Sequence, residues 1–193
     1  MCSFIFLISL DEINKESFLN ANQLIKSRGP DKTNTFFTKY EKFHIASVHN
    51  LLDISGFGIK QPLIDESGKI LLFNGEIYHP SEKDIPDSLL LFKEFQRNNL
   101  SSFLKKGLGE FVISSIDLKN KIINLFVDLI GTKPLFYAHK DNQLCIATYS
   151  SVLENLGFDS IQNINSNKEI TIDFSNLKKP NFFYKEIYNL NLE

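Results

Sequence analysis

The stretch Met1-Cys2-Ser3-Phe4-Ile5-Phe6-Leu7-Ile8 opens the chain and decides how the rest is read. Residues 3–10 form an apolar run rich in Phe and Ile, the signature of a strand buried on both faces. Directly ahead of that strand stands a cysteine. If Met1 is removed, Cys2 carries a thiol and a free α-amine on one residue, a nucleophile together with a base. An α-amine titrates near pH ~7.8, far below a lysine, so it can accept a proton near neutrality. With Met1 attached, that nitrogen is an amide and has no such capacity.

The helix and strand signals outward from this strand alternate. A helix is expected from Asn14 to about Ser27, with Phe18, Ala21, Leu24 and Ile25 on one face, stopped by Arg28-Gly29-Pro30-Asp31. Phe43 to Val48 reads as a strand, residues 50–68 as a loop leading into a hairpin, and Lys69 to Phe73 as a strand ending at Asn74-Gly75. Asp84 or Asp87 is expected to cap a helix reaching about Asn98, with a shorter helical piece from Ser101 to Lys106. Strands follow at Glu110–Ile116, Lys121–Val127, Leu135–Ala138 and Gln143–Thr148. A helix from Ser150 to Leu156, ended by Gly157, precedes a short strand at Glu169–Ile172. A polar, aromatic tail begins at about residue 174. The pattern predicts one α+β domain over residues 1–193, a sandwich of sheets with helices outside.

Bulk properties exclude several classes of function. The 193 residues are 42% apolar, enough to build a core without disulfides. Cys2 and Cys145 make no disulfide framework and fit a reduced, cytoplasmic setting. Asp11 and Glu12 cut the N-terminal apolar run below membrane-spanning length, and the run lacks the basic start of a signal peptide. A formal charge of −2 gives no electrostatic case for nucleic acid. The 18 phenylalanines read as core filling. His44, His49, His79 and His139 show no metal-ligand spacing, and no metal or cofactor is expected.

Asn74-Gly75 admits two readings. An asparagine amide and a glycine N–H can together hold the oxygen of a tetrahedral intermediate, where losing one donor costs about 3–4 kcal/mol of transition-state stabilisation. The same dipeptide is the standard signal for a type I′ hairpin turn. Glu76 beside it offers an acceptor for a substrate ammonium.

Taken in order, Cys2, Arg28-Gly29-Pro30-Asp31, Gln61-Pro62, Phe73-Asn74-Gly75-Glu76-Ile77-Tyr78 and Gly131-Thr132-Lys133-Pro134-Leu135-Phe136-Tyr137 resemble the N-terminal glutaminase domain of asparagine synthetases. These are class II glutamine amidotransferases with the N-terminal-nucleophile hydrolase fold. The likeness runs from Cys2 to about Leu153. It implies a four-layer αββα sandwich of two antiparallel sheets. It further implies that Cys2, freed of Met1, attacks the side-chain amide of glutamine while Asn74 and Gly75 form the oxyanion hole. Glu76 and Asp87 would bind near the substrate ammonium. Arg28 and Asp31 would frame the pocket, and Gly131 to Tyr137 would shape a turn beside the core.

One departure stands out. His49-Asn50-Leu51-Leu52-Asp53-Ile54 matches a family stretch whose arginine grips the α-carboxylate of glutamine, and here that position is Leu51. Losing one member of a desolvated charge pair costs about 2–5 kcal/mol. Arg28, Lys60 or another lysine would have to take over. Lesser departures are Leu89 in place of glutamate and a Val127-Asp128-Leu129-Ile130 stretch without the family's arginines. The sequence contains neither the Ser-Gly-Gly-x-Asp-Ser pyrophosphate loop of the synthetase half nor a Walker loop. The expectation is hydrolysis of glutamine or a related amide, with ammonia passed to a separate synthetase subunit or domain. The alternative is a catalytically impaired regulatory or scaffolding module that binds such a partner.

Overall fold

A computed structural model of the chain describes residues 2–54, 57–78 and 85–189. In chain order, β1 (Ser3–Ser9) leads to α1 (Lys15–Gln23), a 3-10 turn (Lys26–Arg28), β2 (Lys32–Tyr40), β3 (Phe43–Leu51) and the short β4 (Leu63–Ile64). Next come β5 (Lys69–Tyr78), α2 (Asp87–Gln96), α3 (Leu100–Leu104), β6 (Leu108–Asp117) and β7 (Ile122–Val127). Then follow β8 (Phe136–Lys140), β9 (Gln143–Ala147), α4 (Ser150–Asn155), β10 (Ile161–Asn163), β11 (Lys168–Asp173) and β12 (Asn181–Glu186). The strands form two six-stranded sheets, in the orders β10-β8-β9-β1-β3-β2 and β12-β11-β7-β6-β5-β4.

Side-chain alternation along the strands stacks these sheets into layers. Phe4, Phe6 and Ile8 of β1 point between the sheets, against Ile70, Leu72, Ile116 and Leu125 of the other sheet. Ile5 and Leu7 point the opposite way, against Phe18 and Ala21 of α1 and Val152 and Leu153 of α4. Both faces of β1 are therefore covered, which is why its sequence is unbroken apolar. On the far side, Leu71, Phe73, Phe111 and Ile113 pack against Leu91, Phe95, Leu100 and Leu104 of α2 and α3. The result is the α-β-β-α order that the resemblance implied. Phe4, Phe6, Phe43, Phe111, Phe126 and Phe174 are fully buried, each worth about 1.5–3 kcal/mol of burial. The phenylalanine bias thus fills the core.

Several elements differ from the sequence reading. β2 was not expected; it is an edge strand whose Thr, Lys and Asn side chains largely face solvent, so it lacks the apolar run that marks a buried strand. The residues after 174 are not all tail, because β12 pairs with β11 from Lys168↔Glu186 to Asp173↔Asn181 and closes the sheet edge. Asp87 does not cap α2: Pro86 holds the N-cap position, and the Asp87 carboxylate instead accepts the N–H of Ile77 at 2.9 Å. Asp84, the other capping candidate, lies outside the described residues.

The hairpin-turn reading of Asn74-Gly75 is overturned. β5 runs straight through both residues, with Asn74 opposite Val112 and Gly75 opposite Phe111. Glycine is required there for proximity, not for turning. A Cβ on Gly75 would sit 2.0 Å from the Glu110 carbonyl oxygen and 2.6 Å from Phe111 Cα, at a φ of +148°. Among the described residues no helix is long and apolar enough to cross a membrane.

Candidate active site

Where the two sheets part at one end, a cavity of about 450 Å³ opens. Its lining brings together Cys2, Leu51, Asn74, Gly75, Glu76 and Asp87. Arg28 is not part of that lining. Its guanidinium lies over the Tyr149 ring at 5.7 Å, and its buried Nε has no hydrogen-bond partner. Lys60 does not line the cavity either. Neither of the two basic residues named to compensate for Leu51 therefore reaches the site's wall.

Cys2 leads into β1, whose pairing with β3 sets Ser3 opposite Asn50. The Cys2 thiol therefore lies against the backbone of Leu52, accepting its N–H at 3.4 Å and facing its carbonyl at 3.8 Å. Burial raises the thiol's pKa, and the Leu52 N–H works against that rise. The resting sulfur is thus a thiol, and use of it as a nucleophile would require a base close at hand.

The other side of the cavity is built on β5, and the direction of its backbone groups explains the arrangement. The N–H and C=O of alternate residues in a strand point to the same edge. Gln61, buried to 3% exposure, replaces a neighbouring strand at that edge. Its Oε1 accepts the Phe73 N–H at 2.7 Å and its Nε2 donates to the Phe73 carbonyl at 3.2 Å. His49 Nε2 donates to the same carbonyl at 3.1 Å. Burial lowers the pKa of this histidine to about 4, which keeps the ring neutral at physiological pH. Four residues on, the Asp87 carboxylate takes the Ile77 N–H, and burial raises the pKa of that carboxyl.

Between these two occupied positions lies Gly75. Its partner Phe111 sends its N–H to Asp128 Oδ2 at 3.0 Å and accepts the Asp128 N–H at 3.1 Å, both away from β5. Gly75 and Phe111 thus form a non-hydrogen-bonded pair, the closer of the two antiparallel pair types. The Gly75 N–H accordingly points to the open edge, between the donors claimed by Gln61 and Asp87. Asn74 is 4% exposed and lines the cavity, and among the described residues its side-chain amide has no hydrogen-bond partner. Asn74 and Gly75 thus place a side-chain amide and a backbone N–H next to each other on the cavity wall.

Asp128 anchors the scaffold behind them. Its fully buried carboxylate accepts the N–H groups of Ile130, Gly131 and Thr132 and the Thr132 hydroxyl at 2.6 Å. The turn fixed in this way carries Lys133 to the cavity wall, where Nζ meets Glu110 Oε2 at 3.0 Å. Lys133 is a lining residue that the sequence reading assigned to turn shape alone. Its signal was the lysine within Gly131-Thr132-Lys133-Pro134, which no local pattern ties to β5. Among the described residues, no group of three or more His, Cys, Asp or Glu is arranged to hold a metal ion.

The chain matches two families described as glutamine amidotransferase domain, over residues 1–89 and 50–155. It belongs to the glutamine amidotransferase domain family. Two proteins of Methanocaldococcus jannaschii that bear the provisional name glutamine-hydrolysing asparagine synthetase, numbers 2 and 1, are similar to it. The first is 25% identical over 188 residues, covering 84% of this chain and 35% of the relative. The second is 26% identical over 184 residues, covering 81% and 34%. The chain thus spans about a third of the length of these relatives.

Among solved structures, glutamine phosphoribosylpyrophosphate amidotransferase from B. subtilis superposes with a TM-score of 0.74 at 12% identity, over 97% of this chain and 50% of that one. A structure described as the allosteric regulatory enzyme of purine biosynthesis gives 0.73 at 11% identity, over 97% and 49%. The fold is the N-terminal-nucleophile sandwich.

Proposed function

We propose that this domain hydrolyses the side-chain carboxamide of glutamine or a close relative, with Cys2 as nucleophile, and supplies the ammonia to a synthetase subunit or domain. One observation carries the reading: Cys2 from one sheet and Asn74 and Gly75 from the other line a single cavity. Once Met1 is removed, the α-amine of Cys2 takes the thiol proton as sulfur bonds to the amide carbon. The carbonyl oxygen, now an oxyanion, is held by the Asn74 amide and the Gly75 N–H. The C–N bond breaks, the nitrogen leaves with the transferred proton as ammonia, and a thioester remains. Water, deprotonated by the same amine, then cleaves the thioester to a carboxylate and restores the thiol. Glu76 and Asp87 would receive the substrate ammonium.

The synthetase partner is proposed because the curated relatives are named as synthetases and exceed this chain in length. A second reading, a folded module that binds such a partner with little turnover, is favoured by Leu51 on the cavity wall where the resemblance implies an arginine. One experiment separates the two. Intact mass verifies an N-terminal Cys2, and ammonia release from glutamine and glutamine α-amide is then followed with and without Cys2→Ala. Turnover that vanishes in the variant supports hydrolysis; no ammonia from either amide leaves the scaffolding reading.

A further inference from the structure

The charge on the cavity wall points to the kind of amide it takes, given the hydrolysis reading on which this step rests. Asp53, Glu76, Asp87 and Glu110 line the cavity, and among its described lining residues Lys133 has the single cationic side chain. That ammonium is already engaged by Glu110 at 3.0 Å, and its side chain is only 11% exposed, so it is held in place against the wall. A substrate ammonium entering this cavity meets carboxylates. A substrate carboxylate meets the same carboxylates, and would have to share Lys133 with Glu110, which already offsets its charge.

One stretch of the remaining wall is apolar. Leu51, Leu52, Ile54, Phe57 and Ile59 line it, and Ile54 and Phe57 remain 75% and 53% exposed. An uncharged group extending from the substrate's α-carbon would find apolar contacts there, whereas a bare carboxylate would find, among the described lining residues, no arginine fork and no unpaired cationic side chain.

We propose that the site selects γ-carboxamides with a free α-ammonium and a masked α-carboxylate, glutamine as the first residue of a peptide, over free glutamine. The reaction converts a glutaminyl peptide and water into a glutamyl peptide and ammonia. It proceeds through the same Cys2 thioester, and the peptide bond is untouched.

The test measures ammonia release by protein with a verified N-terminal Cys2 on free glutamine, glutamine α-amide, glutaminyl-leucine and N-acetylglutamine α-amide. The expected kcat/KM for the α-amide and the dipeptide exceeds that for free glutamine by about ten-fold or more, and the N-acetyl compound falls well below both. Glu110→Gln, which releases Lys133, should narrow the ratio by raising activity on free glutamine. Equal or greater activity on free glutamine overturns this inference and leaves the hydrolysis reading standing. If that activity collapses in Lys133→Met, the lysine holds the carboxylate instead. Ammonia from none of the four overturns both.

Discussion

Gln61 is the residue whose replacement best tests how β5 is held. Gln61→Ala strips the Phe73 N–H of its 2.7 Å acceptor inside the protein, which costs about 1–3 kcal/mol for an orphaned buried donor. The Phe73 carbonyl keeps His49 at 3.1 Å, so its loss is partial. The one buried methylene that is lost adds about 0.8 kcal/mol. Together these give about 2–4 kcal/mol, or a fall in Tm of about 4–16 °C for a chain of this size.

Gln61→Glu keeps the shape and changes the chemistry. One oxygen still accepts the Phe73 N–H, but the other replaces the donor that faces the Phe73 carbonyl at 3.2 Å. That contact survives only if the new carboxyl is protonated, so its folded pKa rises above the usual ~4.3. A carboxyl with a raised folded pKa favours the native state at low pH, and the advantage is lost as pH climbs past ~4.3 towards the folded value. Relative to wild type, Gln61→Glu should be less destabilised near pH ~5 than near pH ~8, whereas Gln61→Ala should show no such slope. Urea unfolding of the three proteins at both pH values measures this directly. A deficit below about 0.5 kcal/mol in Gln61→Ala, or the same deficit for Gln61→Glu at both pH values, would refute the clamp.

Two further outcomes follow from neighbouring residues. Gly75→Ala places a Cβ 2.0 Å from the Glu110 oxygen; we expect about 1–3 kcal/mol of lost stability and an amide-hydrolysis rate about 10²–10³ lower, read by thermal melts and ammonia release. Full activity in a stable Gly75→Ala protein would show that the close approach of Gly75 to Glu110 is not needed for catalysis. His49 has a folded pKa of about 4 against an unfolded value near 6.5, so the unfolded chain takes its proton first and stability falls as pH drops from ~6.5 to ~4. The loss amounts to about 3 kcal/mol. His49→Gln, which retains an N–H for the Phe73 carbonyl, should flatten that part of the stability–pH curve, and an unchanged acid slope would place the titration elsewhere.

How far the sequence carried depended on whether each signal was local. β1 was legible because both its faces are covered, and the same burial that makes it central makes its residues uniformly apolar. β2 was not, because an edge strand with one solvated face can be written in Thr, Lys and Asn. Asn74-Gly75 was ambiguous for a physical reason: glycine serves a tight turn and a close strand approach equally well. Only the distant segment Gly109-Glu110-Phe111 settles which is needed. Gln61 could be recognised as part of a motif, yet its task, standing in for a missing strand, exists only once β4 has stopped at Leu63. Lys133 reaches the cavity through the Asp128-fixed turn, a relation between segments that no spacing encodes.

The division of the cavity between two sheets has a mechanical consequence. Cys2 leads into β1, while Asn74 and Gly75 ride on β5, and the side chains interdigitated between the sheets, with the His49 hydrogen bond to the Phe73 carbonyl, fix one set against the other. On the proposed hydrolysis reading, the layer containing Phe4, Phe6, Ile70 and Leu72 aligns Cys2 with Asn74 and Gly75, and a slip there would separate them without unfolding either sheet. Substitutions in that layer should impair turnover sooner than they impair melting, whereas equal losses of packing beneath the outer helices should do the reverse. On that reading, turnover would gauge how the two halves of the sandwich are seated.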